Sequence, residues 1–164
     1  MRRAGVALQP RHYRSAVVAC SKTKQWEGAL PLVAEMQSLG MQPDPATYGA
    51  AIASCGYKQL DRALTLLEGM QAEGARPTEG TYTTLLRLCA QAGRWAVTKA
   101  LMREMEEASI TLTVYHYNSA LAACERATRW REAVAHFRAM RAQGLRPNPG
   151  TYAPLIGVLD KCRR

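Results

Sequence analysis

The sequence predicts an all-α fold, a right-handed α-solenoid of stacked helix-turn-helix repeats. Three observations carry this expectation. A tyrosine recurs as Tyr13, Tyr48, Tyr82, Tyr117 and Tyr152, at spacings of 35, 34, 35 and 35 residues. Cys20, Cys55, Cys89 and Cys124 each stand seven residues after one of the first four tyrosines, and Met36, Met70, Met105 and Met140 return later in each period. Within a period, apolar residues fall twice at i, i+3, i+4 and i+7, which places them on one face of an α-helix.

Residues 117–148 give the clearest copy of the unit. Tyr117, Ala120, Leu121 and Cys124 form the stripe of a first helix; Trp130, Ala133, Val134, Phe137 and Met140 form that of a second. Gly144 supplies the permissive backbone that ends the second helix, and Pro147 prevents its resumption. Trp26, Leu60, Trp95 and Trp130 each open a second helix.

In chain order, MRRAGVALQ aligns on MRAQGLRPN, so residues 1–9 read as the end of a truncated repeat. Repeat 10–44 carries Pro31 inside its second helix, where a lost backbone donor predicts a kink. Repeat 45–78 is one residue short, with the loss between Cys55 and Ala63. In repeat 79–113, Thr98 and Lys99 replace the Ala133-Val134 pair, and Ser109 and Leu112 stand where other repeats have Gly and Pro. This layer is expected to be the least regular. After repeat 114–148, residues 149–164 supply one more first helix, with Tyr152, Leu155, Ile156 and Leu159 on a face. The array reads as a fragment of a longer one, and no targeting peptide is visible.

Composition narrows the function. Four full repeats in 164 residues pass the threshold of about three needed for a stable stack. No apolar run approaches the roughly 18 residues that span a bilayer, so no membrane role is expected. None of the five cysteines forms a CxxC pair, so no metal site is predicted and the periodic thiols read as small packing residues; Cys162 is off their register. His12 and His116 adjoin recurring tyrosines and His136 is on a second helix, with no nucleophile-base grouping around them. No catalytic residue, cofactor or small-molecule substrate is predicted. The net charge of +9 favours an anionic partner. Repeat 114–148 holds +4 of it, while repeats 45–78 and 79–113 are neutral.

The repeats open as Ala46-Thr47-Tyr48, Gly80-Thr81-Tyr82, Tyr115-His116-Tyr117-Asn118 and Gly150-Thr151-Tyr152, and close as Gln42-Pro43-Asp44, Arg76-Pro77-Thr78 and Arg146-Pro147-Asn148. With Cys in the first helix and Met and Gly late in the second, they resemble the pentatricopeptide repeat over essentially the whole chain. The resemblance implies sequence-selective binding of single-stranded RNA in organellar RNA metabolism, in a mitochondrion or chloroplast. It also implies that the residue after each tyrosine and the last residue of the same repeat choose one base. The pairs are Arg14 with Asp44, Gly49 with Thr78, Thr83 with Thr113, and Asn118 with Asn148. The Asn pair resembles one that favours pyrimidine, cytosine over uracil. Two residues before each tyrosine the family places a wedge between bases, and Tyr115 offers a stacking surface there. Lys22, Lys58 and Arg126, late in the first helices, are the expected phosphate contacts. The alternative reading is a protein-binding helical scaffold without RNA specificity, motivated by the neutral middle repeats and by Gly49, which has no side chain with which to read.

Overall fold

The recurring cysteine and methionine mark where the helices stop. In the computed structural model, which describes residues 8–162, nine α-helices and no strand occur among the described residues. First helices are α1 (Pro10–Thr23), α3 (Pro45–Ser54), α5 (Glu79–Ala92), α7 (Val114–Arg126) and α9 (Pro149–Lys161). Second helices are α2 (Trp26–Ser38), α4 (Leu60–Ala72), α6 (Trp95–Glu107) and α8 (Trp130–Ala142), which begin at the residues the sequence marks. Pro10, Pro45 and Pro149 occupy the first helical position, where a missing N–H removes no helical bond.

At the end of α1, α5 and α7 the carbonyls of Cys20, Cys89 and Cys124 accept the N–H groups of Gln25, Arg94 and Arg129 at 3.0, 3.0 and 2.8 Å. The carbonyls of Met36, Met70, Met105 and Met140 close the second helices in the same way, accepting from the residue five further on. This is the six-to-one bond of a Schellman cap, which requires a left-handed residue just before the donor. Gly40, Gly74 and Gly144 fill that place after α2, α4 and α8 at φ 72–75°, and Gly93 fills it after α5 at 68°. After α6 a side-chain-bearing residue, Ser109, is held there at φ 58°.

The repeats are not identical. Repeat 45–78 lacks the Cys-centred cap: α3 stops at Ser54, Cys55 is extended, and a 3-10 turn (Tyr57–Gln59) leads into α4. The deleted residue is thus taken from the end of the first helix. Cys20 is half-buried, whereas Cys55, Cys89 and Cys124 are buried. α2 passes through Pro31 as a single helix. Residues 1–7 of the truncated first repeat lie outside the described residues.

The chain divides into two compact units, Met1–Thr81 and Tyr82–Arg164, with the division inside α5. In the first, α1 packs on both α2 and α3, and α3 on α4. Val17, Ala29, Val33, Tyr48, Ala51 and Met70 form its core. The Tyr48 hydroxyl donates to Glu73 Oε2 at 2.8 Å and accepts from Gln37 Nε2 at 2.9 Å. Burial and then the Glu73 carboxylate push that hydroxyl up to about 12. On the second-helix side, the Arg62 guanidinium stacks 4.2 Å from the Trp26 ring.

In the second unit α7 packs against α6, α8 and α9 around Leu121, Cys124, Ala133 and Val158. Ala133, at zero exposure, lets α8 approach closely. Its counterpart Thr98 is equally buried and satisfies its hydroxyl locally, donating to the Arg94 carbonyl at 3.1 Å. No helix among the described residues is long and apolar enough to cross a membrane.

Two outcomes follow from these ends and cores. Burial pushes the Cys89 and Cys124 thiols up to about 11, so the folded protein holds these protons more tightly than an unfolded chain at 9.0. Stability conferred by the neutral thiols is therefore complete below pH 9.0 and lost as pH rises through about 11, which thermal melts at graded pH will register. Ser109→Gly relieves the left-handed strain and raises unfolding stability by up to about 1 kcal/mol in urea titrations.

Candidate functional site

Each closing residue of a repeat is also the N-cap of the next first helix. Asp44, with extended backbone, accepts the Thr47 N–H on Oδ1 at 2.7 Å and the Thr47 hydroxyl at 2.6 Å. Thr78 Oγ1 accepts from the Thr81 N–H at 3.3 Å. The Thr113 N–H donates to His116 Nδ1 at 3.1 Å. Asn148 and Thr151 exchange two bonds of 3.1 Å, N–H to Oγ1 in one direction and N–H to Oδ1 in the other. Thr113 with His116 and Asn148 with Thr151 form capping boxes with bonds in both directions, whereas both bonds of the Asp44–Thr47 pair run from Thr47 to Asp44 Oδ1. Thr47, Thr81, His116 and Thr151 are all buried, at 0, 2, 1 and 0% exposure, so their polar atoms need protein partners.

Those third-helical residues reach backwards as well. Thr151 donates its hydroxyl to Asn118 Oδ1 at 2.7 Å, and Asn118 Nδ2 donates to Asn148 Oδ1 at 3.1 Å. The two asparagines predicted to act together are thus hydrogen-bonded to each other. Thr83 Oγ1 lies 3.0 Å from His116 Nε2, so Thr83 and Thr113 are joined through the imidazole. A Cβ placed on Gly49 would stand 3.6 Å from Thr81 Oγ1, an ordinary contact, so this position has room for a side chain and none is there. Arg14 and Asp44 form an ion pair, Nη1 to Oδ2 at 3.2 Å, with side chains 54% and 46% exposed. Burial raises the Asp44 carboxyl, but the Thr47 hydrogen bonds and the Arg14 charge outweigh it and hold the group below the usual 3.8.

The central residue of each set is the one at the third helical position, to which the expectations above give no role. The signal for it is a polar residue immediately before each of the five repeat tyrosines, three positions after the residue that caps the helix.

On α7, Tyr115, Asn118, Ser119, Ala122 and Arg126 follow one helical face and line an open cavity of about 320 Å3 with Arg87, Ala90 and Gln91 of α5 and Gly150 of α9. Tyr115 is 48% exposed there. A side chain at Gly150 would begin 3.1 Å from Asn118 Nδ2 and 3.2 Å from Asn148 Oδ1, so glycine keeps the amide pair accessible. Lys22 is exposed in the last turn of α1. Lys58 is not on a first helix, contrary to expectation: it belongs to the 3-10 turn, because α3 ends at Ser54. Among the described residues no three His, Cys, Asp or Glu side chains group to hold a metal ion.

An aromatic face, an amide and two guanidiniums in one cavity suit a flat, polar ring on an anionic chain. Residues 1–103 match the family described as the pentacotripeptide-repeat region of PRORP, and residues 100–161 match the pentatricopeptide repeat domain. The chain belongs to the pentatricopeptide repeat family. No curated protein sequence matches it. Among solved structures it is similar to the pentatricopeptide repeat protein PPR10 in complex with an 18-nt psaJ RNA element, at 27% identity and a TM-score of 0.75. That match covers 98% of this chain and 24% of the other, so the chain spans about a quarter of that relative's length. PPR10 from maize matches at 27% identity with a TM-score of 0.74, over 98% and 23% of the two chains. The PPR domain of Arabidopsis thaliana protein-only RNase P 1, in complex with tRNA, superposes at a TM-score of 0.82 over 94% of this chain and 83% of that one; at 20% identity it shows the fold alone. The chain is an all-α helical-repeat protein of the pentatricopeptide type.

The double role of a closing residue in such a repeat is open to direct measurement. Asp44→Ala removes both the cap and the ion pair and should cost about 1 kcal/mol in urea unfolding. Asp44→Asn keeps a capping oxygen, and since an exposed ion pair contributes little it should unfold close to the parent.

Proposed function

We propose that this chain binds single-stranded RNA, with base selection concentrated in the repeats 79–113 and 114–148. The observation that carries the reading is the cavity of the second unit. It brings together Tyr115, Asn118 and Arg126, the residues expected from the family resemblance to stack, read a base and contact phosphate, and it adds Arg87. The similarity to PPR10, whose structure holds an 18-nt RNA element, supports RNA as the ligand class.

Within this reading the repeats run 10–44, 45–78, 79–113 and 114–148, with 149–164 partial, and about four or five nucleotides are contacted at one base per repeat. Asn118 with Asn148 selects a pyrimidine, cytosine over uracil. Thr83 with Thr113 is the second reading pair. Gly49 with Thr78 and the closed ion pair of Arg14 with Asp44 select no base. Arg126 and Arg87 take phosphate, with Lys22 and Lys58 adding general attraction. The chain acts as a binder and not as a catalyst, in organellar RNA metabolism, as the family resemblance implies.

A second reading has one observation in its favour. The first unit offers a salt bridge and a glycine where reader side chains are expected, which suits a protein-binding role for repeats 10–44 and 45–78.

Titration of labelled pyrimidine-rich RNA at graded salt tests the proposal. Tyr115→Ala should weaken binding by about 1–3 kcal/mol, the worth of one stacked base. Arg126→Ala should reduce the slope of log K against log salt by about 0.7, one phosphate contact on a single strand. Asn118→Ala should abolish base preference at one nucleotide while leaving the helical spectrum unchanged. Failure to bind at low salt would refute RNA binding and leave the scaffold reading.

A further inference from the structure

We propose that His116 is a specificity-determining residue that acts through Thr83: it sets the Thr83 hydroxyl as a hydrogen-bond donor, so that the repeat 79–113 takes a base with an unprotonated ring nitrogen on its pairing edge. This rests on the RNA-binding reading above and adds a ligand class for one repeat. Thr47, Thr81 and Thr151 occupy the third helical position of α3, α5 and α9, whereas α1 and α7 have an imidazole there, His12 and His116; of the two, His116 is the one bonded to a side chain of the preceding first helix.

The polarity follows from what each partner is able to do. Two groups of Thr113 lie on His116 Nδ1, the backbone nitrogen at 3.1 Å and Oγ1 at 3.2 Å; the hydroxyl is able to donate or accept, whereas the backbone nitrogen can only donate and would lose its partner if Nδ1 carried a proton. Nδ1 therefore carries the lone pair, and in the neutral ring the proton is on Nε2. Nε2 is 3.0 Å from Thr83 Oγ1, so the imidazole donates and the hydroxyl oxygen accepts. The Thr83 hydroxyl proton is then left for another acceptor. The ring has no freedom to reverse this arrangement. It is 1% exposed, and the Tyr115 ring meets it edge-on at 6.2 Å between centroids, with planes at 86°. A flip would set carbon atoms against both the Thr113 N–H and the Thr83 oxygen.

The neighbouring reader is prepared differently. Asn118 receives the Thr151 hydroxyl on Oδ1 and gives one amide proton to Asn148, which leaves it both an N–H and a lone pair to offer. Thr83 offers a proton beside an oxygen that already accepts from imidazole. Adenine at N1 and cytosine at N3 supply the acceptor. Guanine and uracil present a ring N–H at the same place, which would leave the Thr83 proton unpaired and bring a second donor to its oxygen.

Two measurements test this. In the free protein, long-range nitrogen-proton correlation of the histidine rings should show His116 neutral, with its proton on Nε2. Four RNAs differing only at the nucleotide facing repeat 79–113 should then bind with adenine and cytosine preferred about tenfold over guanine and uracil, one buried hydrogen bond's worth. His116→Asn retains an oxygen for the Thr113 N–H but does not reach Thr83, and it should reduce that preference to within about twofold while selection at Asn118 is unchanged. Thr83→Val, which leaves the cap untouched, should remove the preference altogether. A proton on Nδ1, a preference for guanine or uracil, or a full preference surviving in His116→Asn would each overturn the inference while leaving RNA binding intact. A protein that binds none of the four RNAs at low salt would remove both together.

Discussion

The fold depends on one repeated interaction, the cap between the last residue of a hairpin and the third residue of the helix that follows. A helix start leaves backbone N–H groups without intrahelical partners, and a residue buried at the third position must find partners for its own polar atoms. Asp44 with Thr47, and Asn148 with Thr151, solve both needs at once. Because the buried side chain also contacts the first helix of the preceding hairpin, as Thr151 contacts Asn118, the cap fixes the register of one first helix against the next. Apolar burial around Val17 and Met70, or around Leu121 and Val158, then stabilises a geometry that the polar bonds have already specified.

The two units use this device to different ends. In the first, Arg14 closes over Asp44 and Gly49 has nothing to present. In the second, amide and hydroxyl groups are held beside an exposed tyrosine and two arginines, in the half of the chain where the positive charge collects. The scaffold is the same, and the chemistry displayed on it is not.

Much of the architecture was legible because it rests on periodic spacing. The recurring Trp26, Leu60, Trp95 and Trp130 mark the starts of the second helices, and the periodic residues Cys20, Cys89, Cys124 and the four methionines lend their carbonyls to the bonds that close the helices. What spacing could not give was the response to irregularity. A one-residue deletion was visible near Cys55, but whether the helix or the turn would absorb it depends on the energy of a Schellman cap against that of a 3-10 turn. Lys58 was misplaced for that reason. Likewise the ion pair of Arg14 and the linkage of Thr83 through His116 arise from side chains about 30 residues apart, which no local spacing reveals. His116 itself was seen only as a histidine beside a tyrosine.

The shared duty of the closing residue has a consequence for how such a chain can change. Asp44, Thr78, Thr113 and Asn148 all belong to the small set of side chains that cap a helix well. An apolar substitute at any of them would forfeit the cap of the next first helix, about 1 kcal/mol each. The alphabet open to this position is therefore written by helix chemistry, whereas the position it faces on the preceding helix, where the backbone is already satisfied, accommodates residues as unlike as Arg14, Gly49, Thr83 and Asn118.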